Sequence, residues 1–167
     1  MSLHRGLLGC ASNRQTPAAD GDAAVSEPQP TVTDIPAFDA DSAYAYVSRQ
    51  VAMGPRVNNT PGHARCERWL VENLRRFGAD TVIEQKATVH DHAGRPLDIN
   101  NIIARFNTSA SRRILLLAHY DTRPTADQDP DPANHDKPVP GANDGASGVG
   151  VLMETARQLG LTPPPVV

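Results

Sequence analysis

The chain has 167 residues, a formal net charge of −3 at pH 7 and a pI near 6.0, a length that suits one domain. That balance speaks against nucleic acid or an anionic membrane surface as a partner. No apolar run is long enough to span a bilayer.

Leu7-Leu8-Gly9-Cys10 resembles a bacterial lipobox, so residues 1–10 read as a clipped lipoprotein signal. Membrane attachment would then run only through a lipid on Cys10, with the protein on the periplasmic side of the cell envelope. The alternative is an ordinary cytoplasmic tail. Residues 11–37, rich in Ala, Ser, Thr, Asp and Pro without apolar periodicity, read as a disordered tether. The folded part is then 38–167.

Ala40, Tyr44, Val47 and Val51 recur at helical spacing, with Asp39 or Asp41 as N-cap, and Gly54-Pro55 ends that helix. Thr60 and Pro61 open a second helix. Its buried stripe is Cys66, Leu70, Leu74 and Phe77 beside Trp69, and Gly78 stops it. Its solvated face is Arg65, Glu67, Arg68, Glu72, Arg75 and Arg76, and His63 is expected at the surface or in the cap. Cys66 reads as a core thiol, with little weight on a disulfide to Cys10. Two β-branched runs, 81–89 and 97–106, flank Ala93-Gly94-Arg95 and predict a hairpin.

The apolar run Ile114-Leu115-Leu116-Leu117-Ala118 predicts a central strand over 113–119, buried on both faces. It ends in His119-Tyr120-Asp121. The Asp- and Pro-rich loop 127–137 follows and reads as solvated surface near the mouth of a site; its prolines and lack of a suitably placed glycine argue against calcium. Gly141-Ala142-Asn143-Asp144-Gly145-Ala146-Ser147-Gly148 then leads into a helix from about Gly145 to Leu159 with Val149, Leu152, Met153 and Ala156 on its apolar face. Gly160 closes it and Pro163-Pro164-Pro165 cannot continue it. The element order predicts an α/β fold, a mixed β-sheet flanked by helices, and such folds bind ligands beyond the C-terminal ends of their strands.

His119 and Asp121, two apart at a strand end, point to one side of the sheet. Asp144 offers a hard oxygen at a turn of small residues. Alone, the first feature fits a hydrogen-bonded core histidine and the second a helix N-terminus. In this order and spacing they point to a metal, and imidazole with carboxylate suits zinc. His119 and Asp144 are the candidate ligands, with Asp121 fixing the imidazole or shaping the pocket behind them.

AHYDTRP followed by PGANDGASGVGVLMETARQL resembles the bacterial-type zinc-dependent glutaminyl-peptide cyclotransferases and, more broadly, the zinc aminopeptidase family that shares their phosphorylase/hydrolase-like fold. The segment Gly54-Pro55-Arg56 to Pro61-Gly62-His63 and the Asp-rich loop are similar to the cyclase branch. The resemblance implies a site around His119, Asp121 and Asp144. One zinc is expected in a cyclase, with Asp144 as a ligand and the histidine usually off the metal. An aminopeptidase would hold two zincs, bridged by Asp144, with His119 on one of them. The implied substrates are peptide or protein N-termini. A cyclase converts an N-terminal Gln to pyroglutamate with release of ammonia, whereas an aminopeptidase hydrolyses the first peptide bond. A non-catalytic binding domain of the same fold is the third reading. Since the family takes further ligands and its base from later strands, the resemblance also implies an N-terminal fragment of the catalytic domain, incomplete at the C-terminus and inactive alone.

Overall fold

The computed structural model describes residues 36–162. The readings of residues 1–10, of the tether up to residue 35, of Cys10 and of the stop at Pro163-Pro164-Pro165 lie outside the described residues. The elements are α1 (Ala40–Ala52), α2 (Pro61–Arg76), β1 (Thr81–His90), β2 (Pro96–Arg105) and α3 (Gly148–Leu161).

Local chemistry sets the boundaries. Asp39 caps α1 by accepting from the Ser42 amide at 3.1 Å and the Ser42 hydroxyl at 2.8 Å, satisfying a donor the first turn leaves free. Thr60 caps α2 in the same way, with Pro61 at the first position. Gly78 takes a positive φ just beyond the end of α2. The hairpin turn closes on Asp91, whose Oδ1 accepts from the amides of Ala93 and Arg95, with Gly94 at φ +77°.

α1 packs on α3, and α2 lies against both strands of the hairpin. Between them Cys66, Leu70, Val149 and Met153 form the core, bordered by Tyr46, Trp69, Phe77 and Tyr120. Burial pushes the Cys66 thiol up to about 11, which leaves it an unreactive core residue. The stripe of α1 differs from the expected one. Tyr44 is 72% exposed, and Ala43 and Gln50 are the buried positions. Packing explains this, because α3 approaches so closely that a Cβ on Gly150 would lie 2.8 Å from both the Ala43 carbonyl oxygen and Val47 Cγ2. A small residue, not a tyrosine, faces that contact. Gly160 likewise lies inside α3 instead of closing it; a Cβ there would sit 2.8 Å from the Phe77 carbonyl carbon.

Helices packed on a sheet bear out the α/β expectation. The central strand is a correction. Among the described residues the sheet is the antiparallel pair β1–β2, in register from Thr81 opposite Arg105 to His90 opposite Pro96. Residues 114–121 carry no regular secondary structure, and Ile114 and Leu117 are 90% and 81% exposed. An apolar strand is buried only when other strands and helices cover it, and the hairpin pairs with itself alone.

Glu154 is a fully buried carboxylate in the middle of α3. It accepts from Arg157 at 2.7 and 2.9 Å, from Gln158 at 2.7 Å and from the Asp39 amide at 3.2 Å. The start of α1 is thereby fastened to α3. The guanidinium of Arg157 holds the Glu154 carboxyl below its usual range.

Candidate metal centre

Two segments meet at the site. The first ends in His119-Tyr120-Asp121, and the second is the turn Ala142–Ser147 that precedes α3. Gly141 enters the turn at φ +64°, Asp144 leaves the helical region at φ −96°, ψ 96°, and Gly145 sits at φ +147°. Only glycine takes that last conformation readily. It also allows a close approach, since a Cβ on Gly145 would fall 2.7 Å from Cε1 and Nδ1 of His119.

The structure brings together the three residues expected from the sequence. His119 Nε2 lies 2.9 Å from Asp144 Oδ1. Its Nδ1 lies 3.1 Å from the Asp121 carbonyl oxygen and 3.5 Å from the Asp121 carboxylate. Asp121 therefore supports the imidazole mainly through its backbone. A carbonyl oxygen only accepts, so Nδ1 carries the proton in this contact, and a neutral ring then turns the lone pair of Nε2 toward a carboxylate oxygen. Two acceptors facing each other are satisfied by a second ring proton or by a cation. His119 and Asp144 are both more than half exposed, so an ion can reach them. Imidazole nitrogen and carboxylate oxygen are donors that fit zinc, although no group of three or more His, Cys, Asp or Glu side chains forms a metal cluster among the described residues. Catalytic zinc sites generally use three protein ligands.

His63 lies in the cap, its amide bonded to Thr60 Oγ1, but not at the surface. It is buried, 5% exposed, and stacks on Tyr120 with ring centroids 4.9 Å apart. Burial lowers its pKa. The Tyr120 hydroxyl donates to the Asn100 carbonyl, and this aromatic stack fixes the residue between His119 and Asp121. His63 also lines a groove of about 690 Å³ with Glu67, Lys86 and Asn100, but neither His119 nor Asp144 borders it.

The Asp-rich loop is exposed and closed at its base by bonds from the amide of Val139 to the Arg123 carbonyl and from that of Ala126 to Lys137. Its carboxylates serve local turns. Asp129 accepts from the Asp131 amide and from Asn134, which lowers its pKa, and Arg123 pairs with Asp127.

Sequence reasoning missed the polar residues beneath the site. Arg56 and Gln50 are fully buried and Thr122 is 6% exposed. Arg56 donates to the carbonyls of Tyr120 (2.9 Å), Pro140 (3.0 Å) and Gly141 (2.7 Å). Its amide donates to Thr122 Oγ1, and the Thr122 amide returns a bond to the Arg56 carbonyl. Burial lowers the Arg56 pKa, against the opposing charge of Asp121. The available signal was the Gly54-Pro55-Arg56 segment itself.

Residues 101–165 match the model of peptidase family M28. The chain is similar to the glutaminyl cyclase of Tannerella forsythia, 52% identical with a TM-score of 0.76, over 78% of this chain and 45% of that one. A leucine aminopeptidase precursor from Bacteroides thetaiotaomicron is 48% identical with a TM-score of 0.77, over 80% of this chain and 46% of that one. A probable zinc metalloprotease of Pyrenophora tritici-repentis is 30% identical over 151 residues, 79% of this chain and 30% of that protein. The chain thus spans less than half the length of these relatives, and over the aligned part it has the fold of the solved structures.

Proposed function

We propose, since residues 101–165 match the model of peptidase family M28, that the protein to which this chain belongs is a zinc-dependent glutaminyl-peptide cyclotransferase acting on peptide or protein N-termini. The observation that carries this reading is the likeness to solved glutaminyl cyclases over nearly four fifths of the chain. The Thr122-Arg123-Pro124 segment and the Asp-rich loop support it.

Asp144 would hold the metal, with His119 beside it as a second donor or as the group that orients the carboxylate. Asp121 fixes the imidazole through its carbonyl. Zinc, when bound, supplies Lewis acidity toward an amide carbonyl. The reaction joins the free α-amine of an N-terminal glutamine to its own side-chain amide carbon and expels ammonia. Two donors are one short of the usual three, so the reading assigns activity to the longer protein and not to the described residues alone.

A second reading, an aminopeptidase, is supported by the comparable likeness to the leucine aminopeptidase precursor and by the position of His119 Nε2 next to Asp144. We place the protein at the cell envelope through Cys10, a reading that rests on Leu7-Leu8-Gly9-Cys10 alone.

The test supplies the full-length protein and zinc with an N-terminal Gln peptide and a leucine anilide. Ammonia release should exceed anilide release. Faster anilide release would overturn the cyclase in favour of the aminopeptidase, and turnover of neither substrate would favour a binding domain.

A further inference from the structure

The two segments that make the site share no strand pairing and no helix, yet they hold His119 and Asp144 at hydrogen-bonding distance. Their registration comes from below. The guanidinium of Arg56 spans both segments, with Nε on the Tyr120 carbonyl and its two terminal nitrogens on the Pro140 and Gly141 carbonyls. Gln50 grips the far end of the turn, donating from Nε2 to the Ala146 carbonyl at 3.0 Å. The turn also closes on itself through the Ala146 amide and the Gly141 carbonyl. The two clamps are tied to each other, because Arg56 donates to the Gln50 carbonyl as well.

Burying a guanidinium is unfavourable unless every donor is well used, and here the acceptors are backbone carbonyls of the two segments. A packed apolar side chain would fill the same space at less cost in desolvation, but it would leave carbonyls on both segments unsatisfied. Arginine is suited to the task because its planar fork reaches separate acceptors in fixed directions, which the point charge of a lysine does not.

We propose that Arg56 and Gln50 are positioning residues for the metal centre. They set the separation of the His119 and Asp144 segments and so tune metal affinity without touching the ion. The proposal rests on the reading that Asp144 and His119 hold the metal.

The experiment compares full-length Arg56→Met, Arg56→Lys and Gln50→Met with the parent. Zinc affinity is read by competition with a chromophoric chelator, and amide hydrogen exchange of the metal-free protein by mass spectrometry. Loss of a group that orients ligands typically costs 10–100-fold in metal affinity, and that range is expected for both Arg56 variants. Gln50→Met, nearly isosteric but without the bonds to the Tyr46 and Ala146 carbonyls, should lose several-fold. Exchange should accelerate across 140–147 and stay unchanged in α2 and the hairpin. Affinity within twofold of the parent, or exchange raised uniformly, would overturn the proposal. If the Arg56 variants fail to fold, Gln50→Met decides, and unchanged affinity with unchanged exchange at 140–147 would overturn it. A parent that binds no zinc, or an Asp144→Ala protein that binds it as well as the parent, would instead sink the metal reading and leave the exchange pattern to judge the clamp.

Discussion

Replacing Gly145 by alanine tests whether the His119–Asp144 contact depends on the turn. The new Cβ would lie 2.7 Å from Cε1 and Nδ1 of His119, where ordinary contact begins at 3.4 Å. The ring must therefore retreat by about 0.7 Å. Along the bond to Asp144, such a shift takes 2.9 Å to about 3.6 Å, beyond hydrogen-bonding range. Rotating the ring does not relieve the clash, because the Cβ also meets the His119 carbonyl oxygen. Alanine at φ +147° adds backbone strain of about 1–3 kcal/mol, and overpacking a further ~1–3 kcal/mol. The expected loss is about 2–6 kcal/mol, accompanied by weakened zinc binding. Gly94→Ala is the control: it also has a positive φ, but its Cβ would have no neighbour within 4 Å, so it should show strain alone and bind zinc normally. Thermal unfolding and zinc titration of both variants provide the assay. Gly145→Ala with the zinc affinity and melting temperature of the parent would refute the reasoning.

Asp144→Ala should abolish tight zinc binding in the full-length protein, and Asp144→Asn should weaken it strongly by removing the charge. Both should keep the fold by circular dichroism, since the side chain is 68% exposed. Glu154→Gln should destabilise at neutral pH. The folded carboxyl sits below its ordinary value, so its contribution is full above the usual glutamate pKa of about 4.3 and fades as pH falls through the folded value. The difference in melting temperature between Glu154→Gln and the parent should therefore be largest near pH 6–7 and shrink below about pH 4. A gap that stays constant across that range would show that the ion pair is not its source.

The capping and hairpin signals in the sequence held, whereas the apolar run 114–118 did not form the strand it suggested. Asp39 and Thr60 are caps because a side-chain oxygen ahead of a helix has a free amide to satisfy. The hairpin follows from two β-branched runs around a glycine turn. His119 and Asp144, 25 residues apart, were legible as partners because one closes an apolar run and the other sits in a turn of small residues ahead of a helix. The hidden part is the buried polar layer of Gln50, Arg56, Thr122 and Glu154. Pattern reading sends polar residues to the surface, so α1 was assigned a stripe through Tyr44 when its inner face runs through Ala43 and Gln50. The burial of His63 was hidden for the same reason, since nothing local reveals the Tyr120 ring that covers it.

The exposed run 114–117 bears on how the site is held. A strand at that position would fix His119 through ladder bonds on either side, as parallel sheets do for the residues at their strand ends. Among the described residues no ladder reaches it, and the His119 segment is anchored just beyond by three other contacts. These are the Arg56 fork on the Tyr120 carbonyl, the Thr122 exchange with the Arg56 backbone, and the Tyr120 ring stacked on His63. All three originate in the loop 54–60 or the first turn of α2. Both halves of the candidate centre therefore draw on one short loop between two helices, with Gln50 of α1 also holding the Asp144 turn, and the side chain that reaches both is Arg56. An exposed apolar run of this kind is an open edge for further strand pairing. Pairing there would tighten the His119 side of the site while leaving the Asp144 side dependent on Arg56 and Gln50. The two ligand segments thus share Arg56, while His63 supports only the first and Gln50 only the second.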